Sequence, residues 1–251
     1  MTGRVLGGVL AAWVLWSGAA AASALCPVPP GADSAVAGLT HSRAALAAGH
    51  PLTVVAMGSS STEGVGATTI TATYPAQLDA ILEQRHAASA IQVLNKGIGG
   101  ETAGANLVRF DKDVLAAKPD LVVWQVGTND SFQKVPLDAF AATLRDGIAR
   151  IRKTGADVIL MNPQSFPGEA KVESYPAYAS TVVALGRELD VPVLDRYRIM
   201  AWWLESRHFA ADQVLSNDGL HLKDLSYRCL AEFVADMIDT PRVVSEKTAA
   251  R

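Results

Sequence analysis

Four short segments concentrate the residues able to do chemistry: Gly58-Ser59-Ser60-Ser61-Thr62, Asn95-Lys96-Gly97-Ile98-Gly99-Gly100-Glu101-Thr102, Gly127-Thr128-Asn129-Asp130 and Asp218-Gly219-Leu220-His221. A serine hydroxyl is a poor nucleophile until a neighbouring base takes its proton. The chain offers His41, His50, His86, His208 and His221 as that base, and only His221 has the companion it needs. Asp218, three residues earlier, can hydrogen-bond the imidazole nitrogen facing away from a serine, fixing the tautomer and stabilising the imidazolium. Standing alone, the same pair reads as a turn cap and the opening of a helix. His208 is the reserve base, with no carboxylate at a matching offset before it. Ser59, Ser60 and Ser61 all carry hydroxyls, and each also suits a helix cap or a turn. Glycines let backbone approach a substrate closely, and Asn129 donates from a neutral amide. His208 and Asp212 come nearest to a metal pair but read as an ordinary polar loop, so neither metal nor other cofactor is required.

Apolar runs of strand length precede the first three segments. The candidate strands are Leu52 to Met57, Ile91 to Asn95, Leu121 to Val126, Asp157 to Met161 and Pro192 to Leu194. Helical periods lie between them, at Pro75 to Arg85, Ala103 to Ala117, Leu137 to Thr154 and Tyr175 to Leu189, with Asp224 to Ile238 closing the chain. Strands that alternate with helices and are apolar on both faces predict a parallel sheet covered on both sides. The expected fold class is therefore α/β, a three-layer α/β/α sandwich around a mainly parallel five-stranded sheet. In such sheets ligands sit beyond the carboxyl ends of the strands, which is where three of the four segments fall. At 251 residues the chain is long enough for one such domain.

With these blocks in this order, the chain resembles the GDSL or SGNH hydrolases, serine esterases and lipases of flavodoxin-like fold, over about Leu52 to Ile238. The resemblance implies Ser60, two residues after Gly58, as nucleophile and Asp218 and His221 as the rest of the triad. It implies the Ser60 N–H, the Gly100 N–H and the Asn129 amide as the oxyanion donors, and hydrolysis of carboxylic esters through an acyl-enzyme. Ser59 stands where the family usually has aspartate. That departure motivates one alternative, a catalytically inactive glycan-binding relative; a lipase or thioesterase of the same fold is another. A dinucleotide-binding module fails on spacing, because Thr102 occupies the place of the last glycine in G-x-G-x-x-G. No G-x-S-x-G surrounds the serine, which argues against an ordinary α/β-hydrolase. Asn129-Asp130-Ser131 matches a glycosylation sequon, but an acceptor there would block the proposed site.

Specificity is expected from loops at the same sheet edge. Asn162 to Pro176 carries Phe166, and Arg196 to Asn217 carries Trp202 and Trp203. Tryptophan faces suit sugar rings and acyl chains, and a pair of them equally suits packing a helix on the core. A carbohydrate ester is the preferred small-molecule or glycan partner. With 22 basic against 25 acidic residues and no dense basic stretch, nucleic acid is not an expected partner. Residues 1–24 contain one charged side chain, Arg4, an apolar run from Val5 to Trp16 and the small residues Ala22-Ser23-Ala24. This pattern predicts a signal peptide cleaved after Ala24, a secreted or periplasmic domain over 25–251 and no stable membrane insertion after cleavage. An uncleaved anchor is the alternative. Cys26 and Cys229, the two cysteines, both survive that cleavage, and either pair in a disulfide or remain thiols.

Overall fold

The computed structural model describes residues 25–30 and 38–240, so the candidate signal peptide lies outside the described residues. The elements run α1 (Thr40–Ala47), β1 (Leu52–Gly58), α2 (Ser60–Glu63), α3 (Tyr74–Arg85), β2 (Ile91–Gly97), α4 (Ala103–Val108) and α5 (Phe110–Asp113). They continue with β3 (Leu121–Gln125), α6 (Thr128–Phe132), α7 (Leu137–Arg152), β4 (Asp157–Met161), α8 (Tyr175–Leu189), β5 (Val193–Leu194), α9 (Arg196–Glu205), α10 (Ala211–Val214) and α11 (Asp224–Asp239). All five strands pair in parallel, in the order β2-β1-β3-β4-β5. This is the expected α/β sandwich. Its topological switch point lies between β1 and β3, where the chain turns from building one half of the sheet to the other.

Strand periodicity divides the core into two layers. Val54, Ala56, Leu121, Val123, Ile159 and Met161 pack with α3 and α11, whereas Val55, Met57, Val122, Trp124, Val158 and Leu160 pack with α7 and α8. Successive strand side chains point to opposite faces, so a strand buried on both sides must be apolar throughout, as β3 and β4 nearly are. The helices follow their own period. α7 buries Phe140, Leu144, Gly147, Ile148 and Ile151 on one stripe, with Asp138 in its first turn and Arg150 and Arg152 in its last, the charges a helix dipole favours.

Two expectations are corrected. The run from Ala103 to Ala117 is not one helix but α4, α5 and a short 3-10 turn. The break falls at Arg109, whose φ of −103° and ψ of 8° leave the helical region while its guanidinium reaches back to the Lys96 carbonyl (2.7 Å) and the Glu101 carboxylate (2.8 Å). The stretch from Arg196 to Asn217, expected as a loop, begins with a helix of ten residues, α9. Asp195 caps α9 by accepting the Arg198 N–H at 3.2 Å, and Ile199, Met200 and Trp203 bury one of its faces.

The amino-terminal segment is fastened to the domain. Cys26 and Cys229 form a disulfide with Cα atoms 5.3 Å apart, joining that segment to α11. The Trp203 indole donates to the Pro27 carbonyl at 2.7 Å beside it. Among the described residues no helix is long and apolar enough to cross a membrane.

Candidate active site

β1 ends at Gly58 and the chain turns at once, through Ser59, into α2, so that three successive serines have different surroundings. Ser59 is buried, and both its N–H and its hydroxyl donate to Gln125 Oε1 at the end of β3, at 2.8 and 3.0 Å. Ser61 is buried as well. Ser60 is half-buried, and its Oγ lies 3.0 Å from His221 Nε2. The turn is tight because α2 lies directly on β2. A Cβ on Gly97 would stand 2.0 Å from the Glu63 nitrogen, so that strand position admits only glycine without moving the helix.

His221 comes from the loop between α10 and α11, which a bridge between Leu215 and Leu222 and a 2.7 Å hydrogen bond from the Ser216 N–H to the His221 carbonyl close into a compact hairpin. Within it, Asp218 Oδ2 meets His221 Nδ1 at 2.5 Å. Its Oδ1 accepts from the Ser216 hydroxyl (2.8 Å), the Leu220 N–H (2.9 Å) and the His221 N–H (3.0 Å). Partial burial pushes the Asp218 carboxyl up, but these hydrogen bonds, the imidazole's first, outweigh it and hold the group well below the usual carboxylate range. An ionised Asp218 keeps the proton on Nδ1 and leaves Nε2 free to accept from Ser60.

The other two segments lie side by side, and the first comes up against the nucleophile's turn: a Cβ on Gly99 would stand 3.9 Å from the Ser60 Cβ. Gly100, with φ +80°, sits in a turn after β2. Asn129 is in the first turn of α6, and one hydrogen of its amide goes to the Glu101 carbonyl at 2.9 Å. Asp130 binds the two segments together, accepting the Ala103 N–H with one oxygen and the Gly127 N–H with the other, each at 3.0 Å. Burial raises its pKa against the pull of those backbone donors. Arg196 does comparable work under the His221 loop. It is fully buried, and it donates to the Asn162 carbonyl (2.6 Å) and to Gln164 Oε1 (2.9 Å). Gln164 also accepts from the Thr128 hydroxyl (3.0 Å) and donates to the Leu220 carbonyl (3.3 Å), joining α6 to the loop that carries His221. Burial depresses the Arg196 guanidinium to about 10, with Tyr175, Tyr74 and Tyr227 opposing the fall. Gln125, Gln164 and Arg196 were not singled out in the sequence, and Asp130 was noted there only as a member of its block. The available signal was polar residues such as Gln125 within or just beyond otherwise apolar strands.

The three aromatic candidates are placed differently. Trp203 is 1% exposed, packed edge-to-face against Phe209 and tilted against Phe233, and belongs to the core; its assignment to substrate binding is corrected. Adjacent residues on a helix point about 100° apart, so Trp202 leaves that face and lies half-buried against the His208 ring at 4.3 Å. Phe166 is mostly buried against Tyr175 and Phe132, and the exposed ring of that group is Phe132, on α6 after Asn129. Among the described residues no three His, Cys, Asp or Glu side chains gather as a metal site.

The model of the non-GDSL lipase-like family matches residues 25–241. An arylesterase of Vibrio mimicus is 29% identical over 163 residues, which make up 62% of this chain and 73% of that protein. An acetylxylan esterase of Geobacillus stearothermophilus is 33% identical over 100 residues, 36% of this chain and 46% of that one. Among solved structures, a two-domain esterase active on acetylated mannans superposes with a TM-score of 0.69 at 18% identity. The match covers 82% of this chain and 54% of that protein, so the chain spans about half its length.

Proposed function

Since the chain belongs to the non-GDSL lipase-like family, among the SGNH-type carboxylic ester hydrolases, we propose that it is an exported serine esterase removing short acyl groups from carbohydrate through an acyl-enzyme on Ser60. The observation that carries this reading is the relay of Ser60 Oγ, His221 Nε2, His221 Nδ1 and Asp218 Oδ2, in which a 3.0 Å contact joins residues 161 positions apart and a 2.5 Å contact continues it to Asp218.

In this mechanism Ser60 Oγ attacks the ester carbonyl as its proton passes to His221 Nε2. The tetrahedral oxyanion is met by the Ser60 N–H, the Gly100 N–H and the Asn129 amide hydrogen not committed to Glu101. Loss of one such donor typically costs about 3 to 4 kcal/mol of the barrier. His221 then protonates the departing alcohol. Water, deprotonated by the same imidazole, attacks the acyl-enzyme and releases the acid. A neutral asparagine and backbone amides stabilise the oxyanion without a full positive charge to hold the carboxylate product.

Support for a carbohydrate ester comes from the openness of the site and from the relatives named for acetylated xylan and mannan. Gly99 and Gly100 are exposed, as is half of the Asp218 side chain, which suits a polymer lying across the surface with only a small acyl group at Ser60. Support for export comes from the composition of residues 1–24 and from the Cys26–Cys229 disulfide, which fits an oxidising compartment. The test is acetate release from acetylated xylooligosaccharides and mannan, beside p-nitrophenyl esters of two and sixteen carbons. Hydrolysis of the acetylated glycans that Ser60→Ala lowers at least about a thousandfold is expected. Cleavage of only the long acyl ester would overturn the carbohydrate assignment, and cleavage of none by folded protein would overturn the enzyme reading.

A further inference from the structure

Three serines follow β1 in succession, and a buried side chain on the neighbouring strand holds the first of them. Gln125 is the last residue of β3. The register that pairs Met57 with Trp124 brings it beside Gly58, and its side chain crosses the space that a Cβ at 58 would fill. Such a Cβ would stand 2.7 Å from Gln125 Oε1 and 2.9 Å from Gln125 Cβ, so glycine at 58 is what admits the amide beneath the turn. Oε1 accepts the Ser59 N–H at 2.8 Å and the Ser59 hydroxyl at 3.0 Å, with the Thr62 hydroxyl farther off at 3.4 Å. Ser59 stands at the N-cap of α2 and is of a type that favours capping, yet its hydroxyl is turned to Gln125 and makes no cap bond.

The two rotations at Ser59, φ −104° and ψ −149°, carry the chain from β1 into α2 and so set where Ser60 stands. The peptide before Ser59 is itself held at both ends. Its N–H is on Gln125 Oε1, and its carbonyl, that of Gly58, accepts the Ile98 N–H at 3.1 Å. The peptide after Ser59 is held by its carbonyl, which accepts the Thr62 and Glu63 N–H groups at 2.9 Å each. Rotating the first peptide breaks the Gln125 bond directly, and α2, four residues long, is too short to keep its own direction. The 3.0 Å contact between Ser60 Oγ and His221 Nε2 depends on that direction. We propose that Gln125 is a positioning residue: by holding the Ser59 N–H it fixes the course of α2 as it leaves the sheet and keeps Ser60 Oγ within reach of His221. The inference rests on the serine esterase reading, and it has Gln125 act through Ser59, not through contact with substrate.

The experiment compares Gln125→Met, Gln125→Asn and Ser59→Ala with the parent. It measures kcat and KM on p-nitrophenyl acetate, the rate of fluorophosphonate labelling of Ser60, and thermal unfolding. Gln125→Met keeps the length of the side chain and loses the oxygen; it lowers kcat and the labelling rate together by about ten- to thirtyfold, with KM within about twofold. Gln125→Asn is one methylene too short to reach Ser59 and gives the same pattern, and it carries the test if the methionine variant does not fold. Ser59→Ala keeps the backbone N–H on Gln125 and stays within about threefold of the parent in kcat. A lower unfolding temperature with kcat and labelling of the folded protein unchanged would make Gln125 structural only and overturn the proposal. So would a rise in KM alone, or a loss in Ser59→Ala as large as that in Gln125→Met. A parent protein that fluorophosphonate leaves unlabelled at Ser60 would instead bring down the serine esterase reading on which the proposal stands.

Discussion

Replacing Asp218 with asparagine changes one atom and should inactivate the protein more deeply than removing the side chain. Asp218 Oδ1 receives three donors, the Ser216 hydroxyl and the N–H groups of Leu220 and His221, at 2.8 to 3.0 Å. An asparagine at this position satisfies them only with its carbonyl oxygen there, which turns its NH₂ toward His221 Nδ1. Nδ1 must then accept, the ring proton moves to Nε2, and Nε2 no longer takes a proton from Ser60. The Asp218→Asn variant is expected to lose about 10⁴ in kcat, near 5.5 kcal/mol of transition-state stabilisation, with its fold intact. Asp218→Ala leaves the imidazole free to choose its tautomer, and a smaller loss than that of the asparagine variant is expected. The assay is hydrolysis of p-nitrophenyl acetate at neutral pH, with near-ultraviolet circular dichroism as the check on folding. An asparagine variant within about tenfold of the parent, or more active than the alanine variant, would refute the tautomer argument.

The remaining predictions concern the parts that support the site. Trp203→Ala removes a fully buried ring between Phe209 and Phe233 and should destabilise the fold by about 3 to 5 kcal/mol, read as a fall in Tm, with kcat at low temperature within about twofold of the parent. Cys26→Ser with Cys229→Ser opens a link spanning 203 residues, for which chain entropy allows a loss of up to about 5 kcal/mol, measured by chemical denaturation. Phe132→Ala, an exposed ring beside Asn129, should raise KM on acetylated oligosaccharides more than it lowers kcat, checked by steady-state kinetics on both glycan and p-nitrophenyl substrates.

Local signals made the sheet and the four blocks legible. Leu121 to Val126 is apolar because both of its faces are buried, and the residues just after β1, β2 and β3 stand where an open parallel sheet leaves a crevice. Pairings across long separations were not legible. Gln125 accepts from Ser59 over 66 positions, and Arg196 reaches Gln164 over 32, so nothing near either residue in the sequence announces its partner. The two tryptophans show the same limit. Composition placed them together, and only the phase of α9 separates a core ring from a half-buried one. The break at Arg109 was hidden because no proline interrupts Ala103 to Ala117. Tertiary bonds from one arginine to Lys96 and Glu101 accompany the interruption.

The central claim, that Ser60 is a nucleophile activated by His221, is tested most directly by treating the folded protein with a fluorophosphonate and mapping the adduct by mass spectrometry. The account predicts one adduct, on Ser60, absent in Ser60→Ala and formed at least about a hundredfold more slowly in His221→Ala. An adduct on Ser59 or Ser61, or labelling at the same rate without His221, would contradict it.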